Sequence, residues 1–443
     1  MRRIAALALL AVAAHAPGCA ETPDSRIATT AVGAGSGAAE PNLAVAADGG
    51  VIASWLEPAG EGAHTLRFAR RGDAGAWGEP RTIATGEHWF VNWADFPSVL
   101  PLSGDTLAAH WLVRSGPGTY AYDVMMALSY DGGASWSEPF TPHTDGTQTE
   151  HGFVALFPAP AGGVGAVWLD GREMGGGHGE AADGAGDGPD ADAGDPPTEA
   201  AGDRPGADAA AAGGHRGGAM TLRYARFEDA GGGPLDEALL DDRTCDCCQN
   251  DAVRVGDAVV VAYRDRSPDE VRDIAVRRGT RDGWEPSRIV HADGWRIPAC
   301  PVNGPAIAAA GDRVAVAWFT AAQDTPRVRV AFSDDAGRSF GPPIRVDGGA
   351  PEGRVDLQFV DAESAAVSWL ERTADGADVR VRRVRPDGSA GAPVVITRTG
   401  AERASGFPRF VVAGDELVFA WTRVGDPSTV LAATLPAAGL PAP

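Results

Sequence analysis

The sequence contains no lysine. All 38 of its basic residues are arginine, against 60 acidic residues, so the formal net charge is -22. Without lysine the protein cannot form a Schiff base, use a lysine general base or hold phosphate with a P-loop lysine. The acidic balance also argues against a nucleic-acid partner, because phosphate backbones are bound by clustered positive charge. A GC-rich genome favours arginine and disfavours Asn and Tyr, so the few positions where those two residues persist are informative.

Helix-forming composition is also lacking. Glycine (59) and proline (33) are too frequent for a helical protein, whereas 44% hydrophobic residues with 12 tryptophans can build a substantial core. Such a composition suits many short strands joined by turns. At 443 residues, either two or three ordinary domains or one large repeat fold is expected.

The N-terminus has the pattern of an export signal. Arg2 and Arg3 precede an apolar run that ends at Ala14, and Cys19 follows Gly18 as in a bacterial lipobox. The apolar run is too short for a permanent membrane span. We predict a lipoprotein-type signal peptide over residues 1–18, lipidation of Cys19 and a tether over 19–25. The protein would then be exported and lipid-anchored to a bacterial membrane, either in the periplasm or at the cell surface.

Internal repeats dominate the rest of the chain. Seven strongly apolar segments end in an aromatic residue at Trp55, Trp111, Trp168, Tyr263, Trp318, Trp369 and Trp421. They recur every 51 to 57 residues except for one gap of 95. That gap contains residues 174–218, a Gly-, Ala- and Asp-rich stretch with nine acidic residues and two arginines. Such a stretch cannot bury enough apolar surface to order itself, so we predict a disordered acidic insert within the third repeat.

Each repeat predicts four short strands in about 50 residues, which is the length of a propeller blade. We therefore predict an all-β protein: a β-propeller over residues 26–443, with seven four-stranded blades and six as the alternative. The last repeat lacks a fourth strand, and residues 26–31 are able to supply it. This N-terminal strand would close the ring and remove the exposed sheet edges.

Two copies of the Asp-box pattern follow third strands, at 129–136 and 333–340. With these boxes the chain resembles the sialidase or BNR-repeat propellers, and its CDCC segment resembles an uncharacterised exported branch of that superfamily. The resemblance implies a propeller acting on a glycan, with exo-α-sialidase-like hydrolysis as the enzymatic possibility. The sequence departs from the sialidase pattern, because Arg296-Ile297-Pro298 falls between the fourth and fifth blades and the last two blades contain no tyrosine.

The unusual residues fall in loops that open on one face of a propeller, the usual place for ligands. All four asparagines, including Asn42, lie at or just before a first strand. The candidate ligand-binding residues are Asn92, Trp93, His151, Arg172, Arg264, Arg266, Asn250, Asn303 and Arg354. The candidate catalytic carboxylates are Asp95, Glu150, Asp170 and Glu173. The expected partner is a glycan or another small polar ligand bound by a monomer; turn capping and Arg–Asp pairs between blades are the structural alternatives.

The sequence specifies no cofactor. Whether the four remaining cysteines form a disulfide or bind a metal is a separate question. Cys245, Cys247 and Cys248 cluster in one loop, and Cys300 lies one repeat later, where it can face them across adjacent blades. A disulfide from Cys300 into the cluster is the first expectation for an exported protein. A thiolate metal site, with His151 or Asp246 nearby, is the alternative. Three functions thus stay open: a glycan-processing enzyme, a non-catalytic binding propeller, and a metal or redox protein centred on cysteine.

Overall fold

Regular structure in the computed structural model is almost entirely β-strand. The model describes residues 25–72, 75–174 and 218–443. The predicted signal peptide, Cys19, the tether before residue 25 and the acidic insert between Met174 and Gly218 lie outside those residues. No helix in the described part of the chain is long and apolar enough to cross a membrane.

The strands form seven antiparallel sheets arranged as propeller blades. The first strand, β1 (Ala28–Ala31), belongs to blade 7. Blade 1 contains β2 (Ala39–Val45), β3 (Val51–Pro58), β4 (Ala63–Arg71) and β5 (Arg81–Glu87). Blade 2 contains β6 (Ser98–Pro101), β7 (Leu107–Arg114) and β8 (Tyr122–Ser129). Blade 3 contains β9 (His151–Pro158), β10 (Val164–Asp170), β11 (Thr221–Phe227) and β12 (Asp236–Asp241).

The second half of the ring repeats this order. Blade 4 contains β13 (Asp251–Val255), β14 (Ala258–Arg264), β15 (Ile274–Thr280), β16 (Gly283–Trp284) and β17 (Arg288–Ile289). Blade 5 contains β18 (Ala306–Ala310), β19 (Arg313–Thr320), β20 (Arg327–Ser333) and β21 (Ile344–Arg345). Blade 6 contains β22 (Pro351–Phe359), β23 (Ala365–Thr373), β24 (Gly376–Val384) and β25 (Val394–Thr399). Blade 7 contains β26 (Arg409–Ala413), β27 (Glu416–Arg423) and β28 (Thr429–Pro436). Four 3-10 turns, Arg172–Met174, Ala322–Asp324, Arg403–Ser405 and Ala437–Gly439, complete the described elements.

The predicted seven-bladed ring and its closure are confirmed. Strand β1 pairs antiparallel with β28, with Ala28 opposite Thr434 and Ala31 opposite Leu431, so the N-terminal strand is the outer strand of blade 7. Blade 2 has three strands, with a single bridge between Met126 and Phe140 in place of the fourth. The first strands of successive blades contact one another around the ring, which brings the loops that precede them to one central face.

The repeat aromatics hold the blades together. All seven are buried at the positions where the apolar second strands pack between neighbouring blades. In three blades the indole N–H donates to a carboxylate two residues further on: Trp55 to Glu57, Trp168 to Asp170 and Trp369 to Glu371. A buried indole N–H needs an acceptor, so these carboxylates belong to the structural repeat.

The Asp boxes are tight turns that follow the third strands of blades 2 and 5. In the first box, Asp131 Oδ1 accepts from the Ser135 backbone N–H at 2.9 Å. In the second box, Asp335 and Ser339 make the same bond at the same distance. Gly133 has a φ of +83°, and a Cβ there would lie 2.4 Å from the Phe68 ring of the neighbouring blade. Because the Asp carboxylate of each box accepts hydrogen bonds from its own turn, we assign the boxes a structural role.

Candidate functional site

A tyrosine hydroxyl lies between two carboxyl groups at the central face. Tyr122 Oη donates towards Asp95 Oδ2 at 3.0 Å and towards Glu150 Oε1 at 2.9 Å. We call Asp95, Tyr122 and Glu150 the acid triad. Its members come from three neighbouring positions of the ring: the loop before β6, the first residue of β8 and the residue just before β9.

Local packing fixes the acid triad. The Tyr122 ring stacks on Phe90 with centroids 3.8 Å apart. The other oxygen of Asp95, Oδ1, accepts the Phe153 backbone N–H at 2.8 Å, which ties blade 2 to blade 3. Gly152 is required beside the triad, since a Cβ there would lie 2.1 Å from Asp95 Oδ2. The hydroxyl is therefore held in one place by rigid neighbours.

Burial raises the pKa values of both triad carboxyls towards or above neutrality. Burial raises the pKa of Asp95 to about 7, although hydrogen bonds from Phe153 and Tyr122 oppose the shift. Burial, together with the charges of Asp95 and Asp246, raises the pKa of Glu150 to about 8. Burial and the two carboxylates also raise the pKa of Tyr122 well above its usual value. At pH 7 Glu150 is thus mainly a proton donor.

Glu150 is the member of the triad that faces solvent. Asp95 and Tyr122 are 3% and 1% exposed, whereas Glu150 is partly exposed. Glu150 is therefore the triad member that a ligand could reach from solvent, while Tyr122 and Asp95 hold its carboxyl group in position.

A cleft of about 270 Å³ adjoins this region between blades 7 and 1, and Glu40 and Trp93 are among its lining residues. Glu40 is buried, and its Oε2 makes no hydrogen bond in the described structure. Burial, and then the charge of Asp95, raises the pKa of Glu40 well above its usual value. Trp93 stacks on Phe407 with centroids 5.7 Å apart. The cleft thus combines an unsatisfied carboxyl with an aromatic wall, which suits a polar ligand with apolar faces.

The four cysteines converge beside the acid triad. The sulfur atoms of Cys245 and Cys248 are 3.2 Å apart, the distance of two hydrogen-bonded thiols rather than of a disulfide. Cys247 lies in the same group, and Cys300 is close enough to interact with Cys245 and Cys247. Burial opposes ionisation of Cys245, but the other thiols and Arg272, whose Nη1 lies 3.2 Å from its sulfur, lower its pKa well below the usual value. The predicted disulfide remains a prediction.

An ion-pair network borders the cysteines. Arg266 Nη1 contacts Asp246 at 3.0 Å, and Arg266 Nη2 contacts Glu270 at 2.8 Å. Glu270 also pairs with Arg272 at 3.0 Å. The guanidinium groups of Arg266 and Arg272 are therefore paired with protein carboxylates, which leaves less positive charge for an anionic ligand than the sequence suggested.

Several predicted ligand-binding residues hold loops in place. Arg264 and Arg354 are buried and donate to backbone carbonyls, Arg264 to that of Asn303 and Arg354 to that of Gly406. Asn303 bridges blades by accepting the Arg354 backbone N–H at 2.7 Å. Asn92 caps its own turn through the Ala94 N–H. Asn250 donates to the Phe153 carbonyl.

Other candidates lie away from the acid triad. Asp170 is fully buried and is shared by Trp168 and Arg172, whose Nη2 lies 2.6 Å from Asp170 Oδ2. His151 lies 3.8 Å from Asp170 through Nε2, in the same cluster. Glu173 is largely exposed and pairs with Arg223 at 3.3 Å. Of the four candidate carboxylates, the structure brings together Asp95 and Glu150.

Sequence reasoning missed Tyr122, Glu40 and His143. Tyr122 is one of only five tyrosines in a composition that disfavours them, so its presence was a usable signal. The role of Asp170 as the acceptor for a repeat tryptophan could also have been predicted, because the pattern Trp-Leu-acid recurs at 55–57, 168–170 and 369–371. Nothing in the repeat period indicated Glu40, which is placed by a left-handed backbone conformation, with a φ of 57°.

Comparison with solved structures supports the fold. A protein of unknown function from Dyadobacter fermentans DSM 18053 matches with a TM-score of 0.50 and 14% identity, covering 93% of this chain and 98% of that one. An α-L-arabinofuranosidase from Fusarium graminearum matches with a TM-score of 0.48 and 12% identity, over 91% and 94% of the two chains. A Hadza microbial sialidase matches at 0.46 and 12%, over 86% and 75%. No family model and no curated protein matches the chain. The first of these matches, at 14% identity, shows the fold alone, and the other two carry no further conclusion.

Proposed function

We propose that this protein is an exported, membrane-tethered, sialidase-like propeller that processes a glycan at its central face, with Glu150 as the proton donor. The observation that carries the proposal is the acid triad, in which a partly exposed Glu150 is backed by Tyr122 and Asp95. A general acid that protonates a glycosidic oxygen must stay protonated near neutral pH, and the Glu150 pKa of about 8 meets that requirement.

Asp95 does not act as the second carboxylate of a glycosidase pair. It is 3% exposed and shares the Tyr122 hydroxyl with Glu150, so the two carboxyl groups do not face each other across a sugar. Glu150 would protonate the leaving oxygen while a water molecule attacks the sugar, and the cleft beside Glu40 and Trp93 would receive part of that sugar.

A panel of fluorogenic glycosides tests the proposal. We expect turnover of at least one glycoside by the wild-type protein, and equal turnover by Glu173→Gln, a matched change at an exposed carboxylate. If the folded protein is inert on the whole panel yet binds a glycan array, and Glu150→Gln binds equally, the enzyme proposal fails. The alternative of a non-catalytic binding propeller would then stand.

The tether rests on the N-terminal sequence pattern alone. We expect that Cys19→Ser releases the protein from the membrane fraction when it is expressed in a bacterium that processes lipoproteins. The wild-type protein should stay in that fraction after high-salt washing, because an acyl anchor does not depend on charge. Recovery of the wild-type protein in the soluble exported fraction would contradict lipidation.

A second candidate function is a metal or redox centre at the cysteines. The observation that favours it is the convergence of all four thiols beside Arg272, with the pKa of Cys245 lowered so that a thiolate is available. Thiolates select soft or borderline ions such as Zn²⁺ or Cu⁺. Arg272 would balance part of the negative charge of such a site.

Metal analysis with a thiol count separates these possibilities. A metal centre predicts about one bound ion per chain and four free thiols after chelation and denaturation. The Cys248→Ser variant should then lose the ion, while Ser129, an Asp-box residue outside the cluster, can be changed to Ala as a control that keeps it. Absence of metal together with two or fewer free thiols would instead establish the disulfide.

A further inference from the structure

Two histidine rings stack against each other beneath the acid triad, between two aspartates. The rings of His143 and His151 have centroids 3.9 Å apart and an interplanar angle of 7°. His143 is 6% exposed and His151 is fully buried. Asp123 lies at one edge of the stacked pair and Asp145 at the other.

Strand alternation places this cluster on the side opposite to the triad. Tyr122 and Glu150 are bridged across blades 2 and 3 and face each other in the acid triad. Their successors in sequence, Asp123 and His151, therefore point the other way, because successive side chains of extended chain alternate. Their contact is direct, with His151 Nδ1 3.2 Å from Asp123 Oδ1.

Asp145 fixes the back edge of both rings. Its Oδ1 lies 3.2 Å from His143 Nδ1 and 3.4 Å from His151 Nε2. Arg172 Nη2 contacts the same oxygen at 3.2 Å, and Thr147 donates to the other oxygen. A carboxylate behind an imidazole is the usual means by which proteins orient a histidine that binds a metal.

Both edges contain buried atoms that form no hydrogen bond in the described structure: Asp145 Oδ1 and His151 Nε2 at the back, and Asp123 Oδ1 and His143 Nε2 at the front. The two front atoms are 4.0 Å apart, and His151 Nδ1 beside them lies 3.3 Å from the Tyr122 carbonyl oxygen. One ligand atom from each of Asp123, His143 and His151 falls within 4.8 Å of the others. Buried polar atoms without partners are costly, and a shared cation would satisfy them together.

Charge distinguishes the front edge from the back edge. At the back, Arg172 already neutralises Asp145 and Asp170. At the front, the ion-pair partners of Asp123 among the described residues are the two histidines. The Asp123 side chain is 28% exposed, although its Oδ1 atom is buried.

We propose that Asp123, His143 and His151 form a binding site for a divalent transition-metal ion, with Asp145 as the carboxylate that positions the two rings. Two imidazoles and one carboxylate suit Zn²⁺, Fe²⁺ or Mn²⁺ and leave open coordination positions. This site is separate from the cysteines and goes beyond the proposed glycan processing.

Metal binding measured without reference to activity tests the site. Because thiols also bind Zn²⁺, the background protein should carry Cys245→Ser and Cys248→Ser. After dialysis against a chelator, Zn²⁺ titration by calorimetry is expected to show one site per chain. His143→Gln should weaken binding about 100-fold or more, whereas Asp145→Asn should weaken it about 10–100-fold, as expected for a positioning carboxylate.

The matched control is His110→Gln. His110 is also a fully buried histidine of blade 2, but it is bonded to Ser98 and lies outside the cluster. This variant should keep the full Zn²⁺ stoichiometry.

Asp123→Asn, at a partly exposed position, provides a second ligand variant if His143→Gln does not fold. Co²⁺ bound at the site should give visible absorption bands without the near-ultraviolet charge transfer of thiolate ligands. Unchanged Zn²⁺ affinity in Asp123→Asn, or no binding of Zn²⁺, Co²⁺ or Mn²⁺ at micromolar concentrations, would falsify the proposal and leave a buried histidine pair that shares a proton.

Discussion

Replacing Glu150 with glutamine is expected to lower kcat/KM for a glycoside substrate by about 10²–10⁴-fold, the usual contribution of a positioned general acid. Glutamine keeps the size of the side chain and still accepts the hydrogen bond from Tyr122, so the loop before β9 should stay in place. It cannot deliver a proton to a leaving oxygen. The measurement is kcat/KM on the best substrate of the glycoside panel, with Glu173→Gln as the exposed control.

The pH profile gives the same prediction a second readout. Glu150 must be protonated to act as an acid, and its pKa is about 8. Wild-type kcat/KM should therefore fall as the pH rises above about 8, and the residual activity of Glu150→Gln should lack that alkaline limb. A leaving group that needs no protonation, such as a nitrophenolate, should reduce the effect of the substitution. Equal losses for good and poor leaving groups would contradict the acid role.

Stability of the variant distinguishes lost chemistry from lost structure. The unfolded chain releases the Glu150 proton near the ordinary value of 4.5, whereas the folded protein keeps it until about pH 8. The native state thus binds more protons between those values, so Glu150 makes stability decline as the pH rises through that window. Glu150→Gln removes this slope and should unfold at a denaturant concentration at least as high as wild type at pH 8.

The fold was predictable because each blade carries its own local signal. The aromatics that end the second strands, such as Trp318 and Trp369, are apolar anchors repeated at a nearly constant spacing, and the period alone gives the number of blades. Ring closure followed because blade 7 lacked one strand and an unassigned strand stood at the N-terminus. These inferences need no knowledge of where any loop side chain points.

The site was less predictable because its residues lie in loops outside the period. Asp95 and Glu150 were both candidates, but only the path of the loops brings them to the same hydroxyl. Asp170 was a candidate for the same reasons, and its carboxylate is taken by Trp168 and Arg172 instead. The residue type and the face of the propeller therefore predict which residues lie near the site. The role of each charged residue depends on the hydrogen-bond or ion-pair partner that it has in the structure.

Arg264 was predicted to bind a ligand, but its partners in the structure are backbone carbonyls. Its replacement by methionine is expected to destabilise the protein by about 3 kcal/mol or more. The side chain is 2% exposed and lies over the Trp295 ring at 4.9 Å. Its guanidinium donates to three backbone carbonyls, those of Asn303 at 2.8 Å, Phe319 at 2.8 Å and Arg272 at 2.7 Å. Methionine fills a similar volume but donates nothing, so each buried carbonyl would lose a charged donor, at about 1 kcal/mol or more each.

The comparison variant is Arg313→Met on the surface of blade 5. Arg313 is 37% exposed and pairs with Asp334 at 2.9 Å, so its loss should cost less than about 1 kcal/mol. Urea unfolding of the three proteins gives the result as a shift of the midpoint at constant slope. Because the Asn303 carbonyl belongs to the loop that carries Cys300, Arg264→Met should also speed the alkylation of Cys300 in the folded protein. If Arg264→Met and Arg313→Met shift the midpoint equally, Arg264 is not the tie between blades 4 and 5, and its guanidinium is again a candidate for binding a ligand.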